Sequence, residues 1–201
     1  MEYTSNRIIL RGSLAGCPVF SHENHGRRFF RFPLEVPRLS GTTDTLQVMV
    51  PQELMESTRL GDGDMVEVTG QIRSFNSRGE TGRKLIISVY AEHLEICTGE
   101  PANQVELEGT VCKEPIYRRT PLGREICDVM LAVNRPYRRT DYLPCILWGR
   151  AARQAAQLGV GARLTLTGRL QSREYLKVLD GVGQRRTAYE ISAISAAPVE
   201  P

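Results

Sequence analysis

The chain repeats itself. Laid against itself at an offset of 97 residues, Asn6, Leu10, Gly12 and Pro18 fall on Asn103, Leu107, Gly109 and Pro115, and Phe32, Leu34, Val36 and Arg38 fall on Val129, Leu131, Val133 and Arg135. After one inserted residue the register resumes, with Leu60-Gly61-x-Gly63 and Thr69-Gly70 meeting Leu158-Gly159-x-Gly161 and Thr167-Gly168. Glycines, an asparagine and alternating apolar positions do not stay in step over such a span by chance, so the 201 residues are two copies of one unit of about a hundred residues. The predicted units run from 1 to 98 and from 103 to 197, joined by a turn-rich linker at 99–102 around Gly99 and Pro101 and followed by a short tail at 198–201.

Inside each copy the apolar residues alternate with polar ones, as in Ile8/Leu10, Phe30/Phe32/Leu34/Val36, Val105/Leu107 and Leu164/Leu166, which is the period of short half-buried strands. One helix interrupts them: Pro51 to Leu60 stopped by Gly61 in the first copy, Arg150 to Leu158 stopped by Gly159 in the second. Three strands, a helix and two more strands predict an all-β fold with one short helix per repeat, two tandem five-stranded oligonucleotide-binding (OB) barrels.

Composition narrows what such a molecule does. At 41% hydrophobic and 24% charged it is ordinary globular material. No run approaches the roughly 18 apolar residues of a membrane span, and Met-Glu-Tyr-Thr-Ser-Asn lacks the layout of a secretion signal, so the expected location is the cytoplasm. The cysteines Cys17, Cys97, Cys112, Cys127 and Cys145 are odd in number and never two apart, which suggests reduced, packed thiols. His22-x-x-His25 sits in a Gly- and Arg-rich loop with no matching acid or thiol pair, and no metal is expected. There is no phosphate-cradling loop ending in Lys-Ser/Thr, no nucleophile elbow and no outstanding carboxylate cluster, so neither catalysis nor a cofactor is expected. The net charge of +3 is small, but residues 1–102 carry 11 basic and 13 acidic side chains, residues 103–201 carry 15 and 10. A polyanion belongs on the second copy.

The second copy also holds the aromatic residues that suit such a partner. In Tyr142-Leu-Pro-Cys-Ile-Leu-Trp148 a strand places Leu143, Cys145 and Leu147 on one face and Tyr142, Pro144, Ile146 and Trp148 on the other. The first face suits a barrel core, and the second presents two rings roughly 20 Å apart. Basic residues interleave with these and neighbouring rings: Arg135, Arg138 and Arg139 about Tyr137, Arg150 beside Trp148, Arg173 and Lys177 beside Tyr175. Rings stack on any unpaired base while guanidinium groups neutralise phosphate. The bland alternatives are core filling for Trp148, cross-strand packing for Tyr142, a hairpin tip for Tyr175 and solvated surface for single arginines. Arg185-Arg186 reads best as a charged turn.

The same half resembles the bacterial single-stranded DNA-binding protein (SSB) family. The resemblance rests on Asn103-x-Val-x-Leu-x-Gly109, Pro115, Leu131-Ala-Val-Asn-Arg135, Asp141-Tyr142, Ile146-Leu-Trp-Gly149, Thr167-Gly-Arg-Leu170 and Arg173-x-Tyr175. It implies base stacking at Tyr137, Tyr142, Trp148 and Tyr175, with Arg169 among the basic contacts. It further implies sequence-independent binding of single-stranded DNA in replication, repair or recombination, and a homodimer supplying four OB barrels. Family members typically recruit replication and repair proteins through a disordered acidic tail, and the ending Ala197-Pro-Val-Glu-Pro201 does not match it.

In the first copy, Thr45 to Pro51 keeps the core face Leu46/Val48/Val50 and puts Thr45 and Pro51 where the rings would stand. Only Arg73, Phe75, Arg83 and Lys84 remain as weaker contacts there, so the first barrel is expected to bind DNA weakly or to serve mainly as scaffold and assembly surface. Two rival functions share these residues. One is a non-catalytic assembly module similar to primosomal replication protein N, acting mainly through protein contacts; the other is an RNA-binding OB protein, since stacking does not read the sugar.

Overall fold

A computed structural model describes residues 6–79, 82–179 and 182–199, with the side chains of 78, 79, 82, 83, 177, 179 and 182 outside the described set. The first copy consists of β1 (Asn6–Leu14), β2 (Val19–Asn24), β3 (Arg27–Pro37), β4 (Thr43–Pro51), α1 (Gln52–Thr58), β5 (Met65–Gly79) and β6 (Gly82–Ile96). The second repeats that order as β7 (Ala102–Val111), β8 (Ile116–Arg119), β9 (Glu125–Arg135), β10 (Arg139–Trp148), α2 (Gly149–Ala155), β11 (Arg163–Leu179) and β12 (Val182–Pro198).

Each copy closes into a five-stranded barrel. In the first, β1 pairs with β5, β5 with β6, β6 runs parallel to β4, β4 pairs with β3, and β3 returns to β1 through Ser13↔Glu35 and Leu14↔Leu34. The second closes the same way through β7, β11, β12, β10 and β9. Strands β2 and β8 add to the outer edges of β3 and β9; the sequence pattern lacks them because they are almost entirely exposed and carry no alternation. Both helices are shorter than the sequence suggested. Arg59, with φ of 51°, takes the left-handed residue that ends α1 before Gly61 is reached, and beyond Ala155 the chain folds into turns. Among the described residues no helix is long and apolar enough to cross a membrane.

The alternating residues fill the barrels: Ile8, Leu10, Phe32, Leu34, Leu46 and Val48 in the first, Val105, Leu131, Leu143, Leu147, Leu164 and Ile191 in the second, all buried. Each such side chain contributes roughly 1.5–3 kcal/mol. The repeated Thr-Gly marks a bulge where the long hairpin bends over the barrel, between Thr69 and Gly70 and again between Thr167 and Gly168. A Cβ at Gly70 would run into the carbonyl of Tyr90, and one at Gly168 into that of Ser192. Only glycine fits this approach.

Two kinds of joint hold the barrels together. Strand β1 pairs antiparallel with β7, Asn6↔Leu107 to Arg11↔Ala102, so one twelve-stranded sheet runs through both. Each barrel also buries an aspartate that grips the other. Asp141 accepts the backbone N–H of Ser74 (2.6 Å), with Arg135 Nε at 3.0 Å and Arg73 Nη1 at 3.3 Å. Asp44 accepts the backbone N–H of Ser172 (2.7 Å) and its hydroxyl (3.1 Å), with Arg38 Nε at 2.7 Å. The two carboxylates are fully buried and fully partnered, which such burial demands.

Candidate nucleic-acid interface

Strand β10 organises the site. Leu143, Cys145 and Leu147 are buried, Tyr142 is exposed, and Pro144 and Trp148 are half-buried. Ile146 departs from the expected alternation: it too is buried, beside Ser192 of the parallel strand β12. Trp148 is the last residue before α2, and its indole N–H donates to Ser192 Oγ at 3.0 Å. That bond satisfies the polar edge and fixes the ring plane. The indole borders a groove lined by Arg119, Gly123, Arg124, Glu125 and Gly149. The Tyr117 hydroxyl donates to Glu125 at 2.6 Å, and Arg119 and Arg153 lie beside the same carboxylate. Those contacts, that of Tyr117 first, hold Glu125 below the usual carboxylate range, so the groove's one acid is spent and its arginines dominate.

Tyr142 stands at the other end of β10. Its backbone N–H donates to Ser74 Oγ at 2.7 Å, so a residue of the first barrel fixes the strand that carries it. Tyr175 lies two strands away on β11, with the Arg173 guanidinium 5.7 Å from its ring centre. Just before Arg173, Ser172 is the residue gripped by Asp44, and its carbonyl accepts from Arg38 Nη2 at 3.0 Å. The first barrel thus holds both strands that display tyrosines.

The structure sorts the other expected contacts. Arg150, at the start of α2, and Arg139 are exposed. Tyr137 and Arg138 form the tip between β9 and β10, both with positive φ (62° and 54°), and Tyr137 is 96% exposed, apart from the Trp148 face. Arg135 is turned inward against Asp141; burial pushes its guanidinium down, and Asp141 opposes that. Arg169 is half-buried and reaches Gln171 Oε1 at 3.5 Å. Arg73 divides itself between Asp141 and the Tyr90 ring, 5.6 Å away. Phe75 and Lys84 are exposed, and the side chains of Arg83 and Lys177 lie outside the described residues.

Sequence reasoning overlooked Tyr117, Arg119 and Arg124, although Tyr117-Arg-Arg119 is itself a ring beside cations. It also overlooked a ring cluster on the first barrel, where Phe20 and Phe30 meet edge to face at 5.9 Å under Arg28 and His22 stacks on Phe29 at 4.9 Å. The offset explains how the two barrels differ. Pro51, Arg27 and Glu53 hold the places of Trp148, Arg124 and Arg150; Arg27 Nε pairs with Glu53 at 3.4 Å, and Glu92 adds a second acid to that groove. The indole is replaced by Pro51, the groove's remaining ring is Tyr90, which takes a hydrogen bond from Arg27 (3.4 Å), and the two acids offset its arginine.

Residues 102–197 match the model of the single-strand binding protein family. Single-stranded DNA-binding protein 2 of Listeria innocua is 35% identical over 106 residues, covering 49% of this chain and 65% of that protein. Single-stranded DNA-binding protein A of Bacillus subtilis is 36% identical over 106 residues, 49% of this chain and 60% of that one. The chain therefore spans less than two thirds of the length of either. In fold, the crystal structure of the wild-type single-stranded DNA binding protein from Thermus aquaticus superposes over 98% of this chain and 93% of its own, with a TM-score of 0.78 and 24% identity. Both barrels have a solved counterpart there.

Proposed function

We propose that the chain, whose residues 102–197 match the model of the single-strand binding protein family, binds single-stranded DNA with little sequence preference and without chemistry of its own. The second barrel provides the main grip. The observation that carries this is the arrangement on β10 and beside it: Tyr142 exposed, Trp148 half-buried at the mouth of a groove walled by Arg119 and Arg124, and Leu143, Cys145 and Leu147 locked in the core behind them. Rings so fixed lose little freedom when a base stacks on them, and the guanidinium groups hold the phosphates. Duplex bases are already stacked and offer these rings nothing. Coating exposed strands in this way serves replication, repair or recombination in the cytoplasm, and a pair of chains would supply four barrels.

Trp148 is the sole tryptophan, so it reports on its own site. Titrating the full chain with oligothymidylate at low salt is expected to quench its fluorescence, and added salt to reverse the effect. A duplex that quenches as well as the single strand would refute the reading. Equal response to an oligouridylate would assign the chain to RNA as much as to DNA, because stacking alone does not read the sugar.

A further inference from the structure

The first barrel lacks rings at positions 45 and 51, yet one of its faces carries concentrated positive charge. A groove of about 390 Å³ lies between β12 of the second barrel and β3, β4, β5 and β6 of the first. Four cations line it, Arg31 and Lys84 from the first barrel and Arg185 and Arg186 from the second, together with the half-exposed ring of Phe75 and the half-buried ring of Tyr189. No Asp or Glu is among its described lining residues. Arg185 pairs with Glu174 at 3.6 Å; both side chains are largely in water, where such a pair holds charge loosely.

Four like charges from two barrels converging on one groove repel one another unless an anion lies between them. Cations beside an accessible ring fit an unpaired strand better than an inorganic ion, because Phe75 offers a face that only a base or another flat apolar group can use. The hairpin also links this groove to the main site. Arg186 is the register partner of Tyr175, so the two side chains stand on the same face of the β11–β12 ribbon. A strand resting on Tyr175 is one side chain from the groove.

We propose that this composite groove is a second contact for single-stranded DNA, in which the hairpin of the second barrel lends Arg185 and Arg186 to the first, so that a strand leaving Tyr175 continues over Arg31, Lys84 and Phe75. The proposal rests on the reading of the second barrel given above. Of the two expectations for the first barrel, weak binding or scaffold, it takes up the first and gives it a place: this barrel binds beside Phe75 and Lys84 and not at positions 45 and 51.

The test compares short and long oligothymidylates on the full chain, read through Trp148. A strand of about 8 nucleotides fits one barrel, and one of about 30 reaches both, given roughly 4–16 nucleotides per barrel. In the double variant Arg185→Glu/Arg186→Glu, affinity and quenching with the short strand are expected to stay as in the native chain. The long strand should bind at least about tenfold more weakly, with fewer nucleotides covered per chain and a salt slope shallower by about 1.4, two phosphate contacts at roughly 0.7 each. Phe75→Ala should weaken only the long strand. If long-strand affinity, coverage and slope all match the native chain, the groove is not a DNA contact. If the native chain shows no quenching with the short strand, the reading of the second barrel itself fails and the groove proposal falls with it.

Discussion

Trp148 and Tyr142 share a strand but are anchored differently, the indole by a hydrogen bond inside its own barrel and the tyrosine backbone by Ser74 of the other. If both rings stack, replacing both by alanine should cost roughly 2–6 kcal/mol of binding, at 1–3 kcal/mol per base, measured by isotherms at fixed salt. Thr45→Ala and Pro51→Ala should leave that affinity almost unchanged. The arginines divide along a different line. Arg135 is turned inward against Asp141 and Arg124 is exposed at the Trp148 groove. Arg135→Gln should lower the melting temperature and leave the salt slope alone, whereas Arg124→Gln should leave melting alone and flatten the slope by about 0.7. The opposite pattern would mean that Arg135 leaves Asp141 to meet phosphate. A linear motif cannot separate these two arginines: both stand near aromatic residues in sequence, and only the fold shows that one has been consumed by a buried carboxylate.

At the scale of elements, the barrels were legible because their core strands are half-buried and print their period on the sequence. The strands and the helix between the third and fourth barrel strands follow from a repeat that keeps glycines and alternating apolar residues in step, whereas the closing pairs and the bulges at Gly70 and Gly168 emerge only in the fold. What stayed hidden has no local signature. Strands β2 and β8 are almost entirely exposed and lack alternation, and the aspartate grips join residues 67 and 128 positions apart. Those grips carry a consequence for the site. Ser74→Ala removes the acceptor of the Tyr142 backbone N–H while Asp141 keeps the Ser74 N–H. The change should cost about 1 kcal/mol of stability and loosen the end of β10 that bears Tyr142. Amide exchange at Tyr142 should accelerate in the variant, and Ser74→Thr, which keeps a hydroxyl, should restore it. Unchanged exchange in Ser74→Ala would show that the first barrel does not hold that strand.

The molecule as a whole is a pseudo-symmetric pair in which Tyr142 and Trp148 of the second barrel have Thr45 and Pro51 at the matching positions of the first. Residues Asn6 and Asn103 make the same bonds one repeat apart, each bridging the backbone of its own long hairpin, at Ile72 and at Leu170. The β1–β7 joint is likewise antiparallel and nearly self-complementary, with Ile8 opposite Val105. In the intact chain this joint occupies the exposed edges of both strands, so a homodimer of full chains must meet through some other face. Residues 102–199 expressed alone would leave the β7 edge bare, along with the Asp141 carboxylate that had been capped from across the joint. An uncovered edge of this length is a template for pairing, and the partner best matched to it is a second β7 running antiparallel. The excised unit is therefore expected to dimerise through that edge, with a mass by light scattering of twice its own. Glu106→Pro should abolish the association, because proline removes the N–H that such pairing needs. A monomer that stays folded and still quenches Trp148 with short oligothymidylate would show that the second barrel needs neither the joint nor the grip of Ser74 to hold its site in place.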